Sequence, residues 1–233
     1  MTDLENALAL VDSLTVAEKQ VVLQYLRRTL PPHPMEERLK ASAETLLEAI
    51  KRASPLTIRG IEGILAEASF AMEVLPTLKD WADIPPEEDA PYDFLLTDRH
   101  ASPPVRLQVK MQRRRRHEPW MANQAMKSTR SWPADYFVVE VQRTRGGKNS
   151  AGEGTRPYRF DEFDVLAVSL GAAKGEWRDF TYTVARWLLP EPGDPTRILK
   201  YQPVAPTDND DWTTDFVTAV RRHRSGIART IAG

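Results

Sequence analysis

Pro91-Tyr92-Asp93-Phe94-Leu95-Leu96 and Val105-Arg106-Leu107-Gln108-Val109-Lys110-Met111-Gln112 decide how this chain is read. The first segment ends an acidic stretch with an aspartate set against an apolar run. The second alternates. Gln108, Lys110 and Gln112 share one face of a strand, and Leu107, Val109 and Met111 share the other. Four arginines, Arg113 to Arg116, follow at once.

Charge sharpens this junction. Arg99 to Arg130 carries nine Lys or Arg against one acid, Glu118, whereas Asp80 to Asp93 carries six acids and no Lys or Arg. Over all 233 residues the net charge is only −1, so a global electrostatic argument for a polyanionic partner fails and the distribution has to carry it. A basic segment directly after an acidic one suits a metal site facing a phosphate backbone. It equally describes two solvated loops of opposite sign.

Composition sets outer bounds. Hydrophobic residues make up 41% and charged residues 28%, as in a soluble globular chain with one good core and an appendage. No apolar run approaches the ~18 residues of a membrane span. Met1-Thr2-Asp3-Leu4-Glu5 is acidic and amphipathic, unlike a secretory signal. The absence of cysteine removes disulfides, thiolate zinc sites and cysteine nucleophiles, and fits a cytoplasmic location. His33, His100, His117 and His223 are scattered without metal-ligand spacing.

Around the central segments, residues 3 to about 29 read as two helices, the second opened by a capping box at Thr15-Val16-Ala17-Glu18. Met35 to Lys51 reads as one further helix. This front piece is expected to be a packing or dimerisation arm, or simply a cover for the core. A longer helix is expected from a Thr57 cap, with Leu56 and Ile61 as its staple, Ile61, Ile64, Leu65, Ala68, Met72 and Leu75 as its buried stripe, and Pro76 as its end. Glu62 and Glu67 both border that stripe, and periodicity does not choose between them. After the strand pair come an expected helix from about Pro119 to Ser131 and strands over Tyr136 to Gln142 and Phe163 to Leu170. Phe180, Tyr182 and Val184 alternate like another strand, and Trp212 to Ile231 reads as a helix. Residues 143 to 157 hold four glycines with Arg143, Arg145, Lys148 and Arg156, the pattern of a basic loop.

The order of helix with glutamate, strand with aspartate, strand with Gln-x-Lys, helix and strand resembles the PD-(D/E)xK nuclease superfamily, to which most type II restriction endonucleases belong. Pro91-Tyr92-Asp93 looks like the first half-motif with one residue inserted. Gln108-Val109-Lys110 looks like the second, with Gln in place of an acid, and Leu65-Ala66-Glu67-Ala68 looks like the leading helix. The resemblance covers residues 57 to 142.

It implies an α/β fold: a restriction-endonuclease-like core with a mixed central sheet flanked by helices over residues 53–233, plus a helical N-terminal arm over residues 1–52. It also implies a Mg2+-dependent endonuclease acting on double-stranded DNA, as a homodimer. Asp93, Gln108, the Val109 carbonyl and Glu67 would bind the ion, with Glu67 chosen over Glu62 from the family pattern. Lys110 would orient and help deprotonate the attacking water. Arg113, Arg114, Arg115 and Arg116 would contact phosphates, and Arg143, Arg145 and Arg156 would approach the bases. Trp120, Trp132, Trp177 and Trp187 read as packing residues. Two rivals stand beside this reading. One is a DNA-binding module in which Gln108 marks a degraded site. The other is a protein-interaction module whose basic run meets an acidic partner.

Overall fold

A computed structural model of the chain describes residues 2–100, 102–116, 118–126, 131–143, 147 and 156–232. Arg145, His117, Lys127, Arg130, Lys148 and the loop glycines 146, 152 and 154 lie outside the described residues. The chain divides into two compact units, Met1–Ile58 and Arg59–Gly233.

The first unit is helical: α1 (Asp3–Ser13), α2 (Val16–Thr29), α3 (Pro34–Leu39) and α4 (Ala43–Lys51). Thr2 with Glu5 and Thr15 with Glu18 close reciprocal capping boxes, so the first backbone N–H groups of both helices are satisfied locally. The single helix expected over Met35 to Lys51 is in fact two. Lys40 turns left-handed (φ 50°), and the Ser42 hydroxyl accepts the Thr45 N–H and starts a fresh helix. Among the described residues, none in these four helices is buried.

Helix α5 (Pro55–Ser69) is capped by Ser54, which accepts the Thr57 N–H at 3.2 Å, rather than by Thr57. The missing N–H of Pro55 costs nothing at the first helical position. The helix runs on as one π turn, Phe70–Val74, and one 3-10 turn, Leu75–Thr77.

The second unit continues with β1 (Trp81–Ile84), β2 (Phe94–Asp98), β3 (Val105–Met111), a hairpin of β4 (Arg114–Arg115) and β5 (Glu118–Pro119), α6 (Ala122–Ala125), β6 (Phe137–Glu140) and β7 (Val165–Ser169). Then follow α7 (Gly171–Lys174), β8 (Phe180–Val184), β9 (Pro190–Glu191), β10 (Asp194–Ile198), β11 (Tyr201–Val204) and α8 (Phe216–Arg224). Five strands make the central sheet in the order β1-β2-β3-β7-β8. β3 and β7 are parallel, with Leu107 opposite Val165 and Lys110 opposite Val168, and the other pairs are antiparallel. Two anchors fix the start of this parallel pair: Asp164 takes the Arg106 backbone N–H at 2.9 Å and its guanidinium at 2.7 Å.

The mixed α/β class expected from sequence is the one found. Tyr136 to Gln142 does form a strand, but β6 pairs with β11 outside the central sheet. The parallel partner of β3 is β7, whose five residues are all buried. A parallel strand covered on both faces needs such a continuous run, and Val165-Leu166-Ala167-Val168-Ser169 supplies it. Apolar side chains divide between the two sheet faces. Phe94, Leu107, Val109, Val165 and Ala167 pack with Ala66 and Phe70 from the α5 segment and Phe216 and Ala219 of α8. Leu166 and Val168 pack with Val138, Val139, Trp187 and Trp212.

The helix expected over Trp212 to Ile231 is shorter. Asp215 caps it and Gly226 (φ 71°) follows its end, because Trp212 and Thr213 serve the sheet instead. Of the helix expected from Pro119 to Ser131, Ala122–Ala125 is helical; Pro119 belongs to β5, Met121 bridges to Phe137, and Trp120, Met126 and Ser131 are not helical. Among the described residues, no helix is long and apolar enough to cross a membrane.

Candidate active site

Asp93 precedes β2 and lies against β3. Its backbone N–H donates to the Leu107 carbonyl at 3.0 Å. Its Oδ2 accepts the Val109 N–H at 2.7 Å and the Gln108 side-chain amide. The aspartate is therefore aimed by the strand beside it, at the level of Gln108 and Lys110. Gln108 is 1% exposed, so its place on the polar face of the strand is not a solvated one. Its amide also reaches the Val109 carbonyl at 3.2 Å. Its Oε1 is buried and finds no hydrogen-bond partner among the described residues. A buried, unmatched amide oxygen costs on the order of 1–3 kcal/mol unless something electropositive meets it.

Glu67 on α5 lies within electrostatic reach of Asp93 and Lys110. Burial, then the nearby Asp93 charge, push its carboxyl up to about 7, while Lys110 opposes that rise. Asp93 is itself raised by burial, against the pull of Lys110 and of its hydrogen bonds from Val109 and Gln108. Lys110 is lowered by burial, against the attraction of Asp93 and Glu67. Two carboxyls and an ammonium thus lie within one another's field in a place that disfavours all three charges. Glu62, the other glutamate bordering the expected stripe, is an ion-pair partner of Arg114.

Sequence reasoning missed Tyr158. Its ring is 5% exposed, lies 5.5 Å from the Lys110 ammonium and 5.3 Å from the Arg143 guanidinium, and packs edge-on against Phe163 at 5.4 Å. Burial, then Asp93, raise its phenol, so its hydroxyl stays protonated beside the carboxyls. No local signal marks Tyr158, which follows the glycine-rich loop and reaches the site only through the tertiary fold. Gln112, two residues beyond Lys110, is fully buried with its own Oε1 unmatched among the described residues.

The expected phosphate and base contacts are split: Arg113 and Arg156 share Glu140, Arg114 is turned to Glu62, and Arg115 and Arg116 are exposed. Arg143 pairs with Glu162 and borders Lys110, and Arg156 lies 3.7 Å from Glu140.

The donor set bears on a magnesium ion. Among the described residues, no three His, Asp or Glu side chains stand close enough to form a metal-binding group. Magnesium does not require one: it is commonly held by one or two carboxylates, with waters and substrate phosphates filling the rest of its shell. Glu67, Asp93 and the unmatched Gln108 oxygen suit that mode. The Val109 carbonyl already accepts the Gln108 amide.

No family model and no curated protein matches the chain. Among solved structures, a bacterial homing endonuclease, I-Ssp6803I, is similar over 65% of this chain and 81% of its own, at 18% identity and a TM-score of 0.38. A likeness at that level carries no argument about what this chain does.

Proposed function

We propose that this protein is a Mg2+-dependent endonuclease that hydrolyses phosphodiester bonds of duplex DNA, a type II restriction enzyme of the PD-(D/E)xK kind. One observation carries the reading: Glu67, Asp93 and Lys110, distant in sequence, share one half-buried cluster of interacting charges around the buried Gln108. Glu67, Asp93 and the Gln108 oxygen would hold the ion, which when bound supplies an acidified water and screens the phosphate charge. Lys110, its ammonium disfavoured by burial, can take a proton from the attacking water and then neutralise charge on the phosphate. Tyr158 orients that ammonium through its ring face. Val109 N–H and the Gln108 amide keep Asp93 from turning away.

Incubating genomic DNA with the full-length protein tests this, with Mg2+ or EDTA, beside Lys110→Ala. Cleavage is expected only with the wild type and Mg2+. No cleavage by the wild type, or equal cleavage by both proteins, overturns the reading. A homodimer would present two such sites to the two strands of a symmetric target. The apolar side chains exposed on α1 and α2, among them Leu4, Leu8, Val21, Leu23 and Leu26, support it, and sedimentation of the full chain tests it. The neutral Gln108, bonded to Asp93, supports a second reading as a DNA-binding protein without cleavage. Binding indifferent to Mg2+ in a wild type that does not cut would select it.

A further inference from the structure

The arginine run folds into a hairpin that splits its own charge. Arg113 N–H donates to Val138 O, Trp120 N–H returns to Arg113 O, and Arg116 (φ 53°) lies in the turn. Alternation along β4 then gives each side chain a different fate. Arg114 is neutralised by Glu62. Arg115 is exposed and lies 6.0 Å from the Trp120 ring. Trp120 meets Tyr201 edge to face at 5.2 Å, and the Lys200 ammonium lies 4.8 Å from the Tyr201 ring. Glu140, the cross-strand neighbour of Tyr201, has three cations around it: Arg113 at 3.4 Å, Lys200 at 3.6 Å and Arg156 at 3.7 Å. One carboxylate cannot neutralise three. Glu118, opposite Arg115, is the other acid on the strip.

We infer that this strip, with Arg115 and Lys200 as its outward charges and Trp120 and Tyr201 as their supports, is a docking surface for the phosphate backbone of a duplex. The inference rests on the proposed reading only in taking DNA as the substrate. Excess positive charge beside the site fits a polyanion. The two rings are engaged by each other and by the cations, so they hold charges in place rather than offering free faces to unstacked bases.

Fluorescence anisotropy tests this in EDTA, with labelled duplex and its single strand, over a salt series, using the full chain and the variants Arg115→Ala, Lys200→Ala and, as a control, the exposed Lys79→Ala. Thermal melts confirm that each variant is folded. Each strip variant is expected to lower the slope of log Kobs against log salt for duplex by about 0.9, the value of one lost phosphate contact. The control leaves the slope unchanged, and duplex binds more tightly than single strand. Unchanged slopes in both strip variants, or tighter binding of the single strand, overturns the inference. Failure of cleavage with the slopes lowered as expected sinks the nuclease reading alone. Cleavage with the slopes unchanged sinks the strip alone.

Discussion

β3 and β7 lie side by side, parallel and in register, yet they do opposite things. Opposite Leu166 stands Gln108, and opposite Val168 stands Lys110. β7 is buried throughout and wholly apolar up to Ser169, and its side chains fill both faces of the sheet. β3 has the same depth at Gln108, but an amide with an unmatched oxygen takes the place of a hydrocarbon. The difference separates stability from chemistry within one ladder. β7 holds the sheet together, and β3 accepts a local cost to bring charge into a half-buried place.

The largest effect expected from this contrast is on β3. Lys110→Met should cut the cleavage rate by about 10²–10⁴-fold, the usual range for a lost acid–base group. Because it also removes the cation facing two carboxyls, any fall in the urea midpoint should be larger at pH 8 than at pH 5, where Glu67 holds its proton. A variant that unfolds earlier yet still cleaves would erase the distinction between the strands. On β7 the reverse is expected. Leu166→Ala should cost about 2–5 kcal/mol in urea unfolding, while cleavage per folded molecule holds.

Glu67 sharpens the contrast through pH. The folded protein holds the Glu67 proton more tightly than the unfolded chain does, so the native state is favoured below the ordinary value of 4.5 and loses that advantage as pH rises to about 7. Without divalent ions, stability should fall by about 2 kcal/mol across that window, after allowing for solvent screening. Glu67→Gln should flatten the profile, and Mg2+ should flatten it in the wild type. Denaturation series at pH 5 and pH 8 read both. A wild-type profile already flat in EDTA would remove Glu67 from the buried cluster. The smallest effect concerns Tyr158. Tyr158→Leu removes a ring face worth about 0.5–2 kcal/mol to the nearby ammonium, so Lys110 should titrate at lower pH by lysine-selective NMR. Tyr158→Phe should leave it in place.

Much of this contrast was legible along the chain. Alternation gave the polar face of β3, and the acidic-to-basic switch marked where Asp93 and Lys110 would stand. Local chemistry also gave the Thr15 cap. What failed was decided at a distance. The stripe expected on α5 is not the buried one: Ile64, Leu65 and Met72 are exposed, and Ala66, Ser69 and Phe70 are buried, because the sheet packs against a neighbouring face. Ser54 outcompeted Thr57 as a cap because Pro55 preorganises the first turn one step earlier. The pairing of Arg114 with Glu62 and the seat of Tyr158 under Lys110 depend on helix and loop packing that no single segment encodes.

The parallel pairing of β3 with β7 has a consequence in time. Everything from Gln112 to Asp164 intervenes between the two strands, and Tyr158 sits near the end of that stretch. A nascent chain that has emerged only as far as the lysine strand has β2 beside it but lacks its parallel neighbour and the ring beside its ammonium. Contacts between such remote segments form late because a long loop must close first. The surroundings of Lys110 are therefore completed only after most of the second unit has been synthesised.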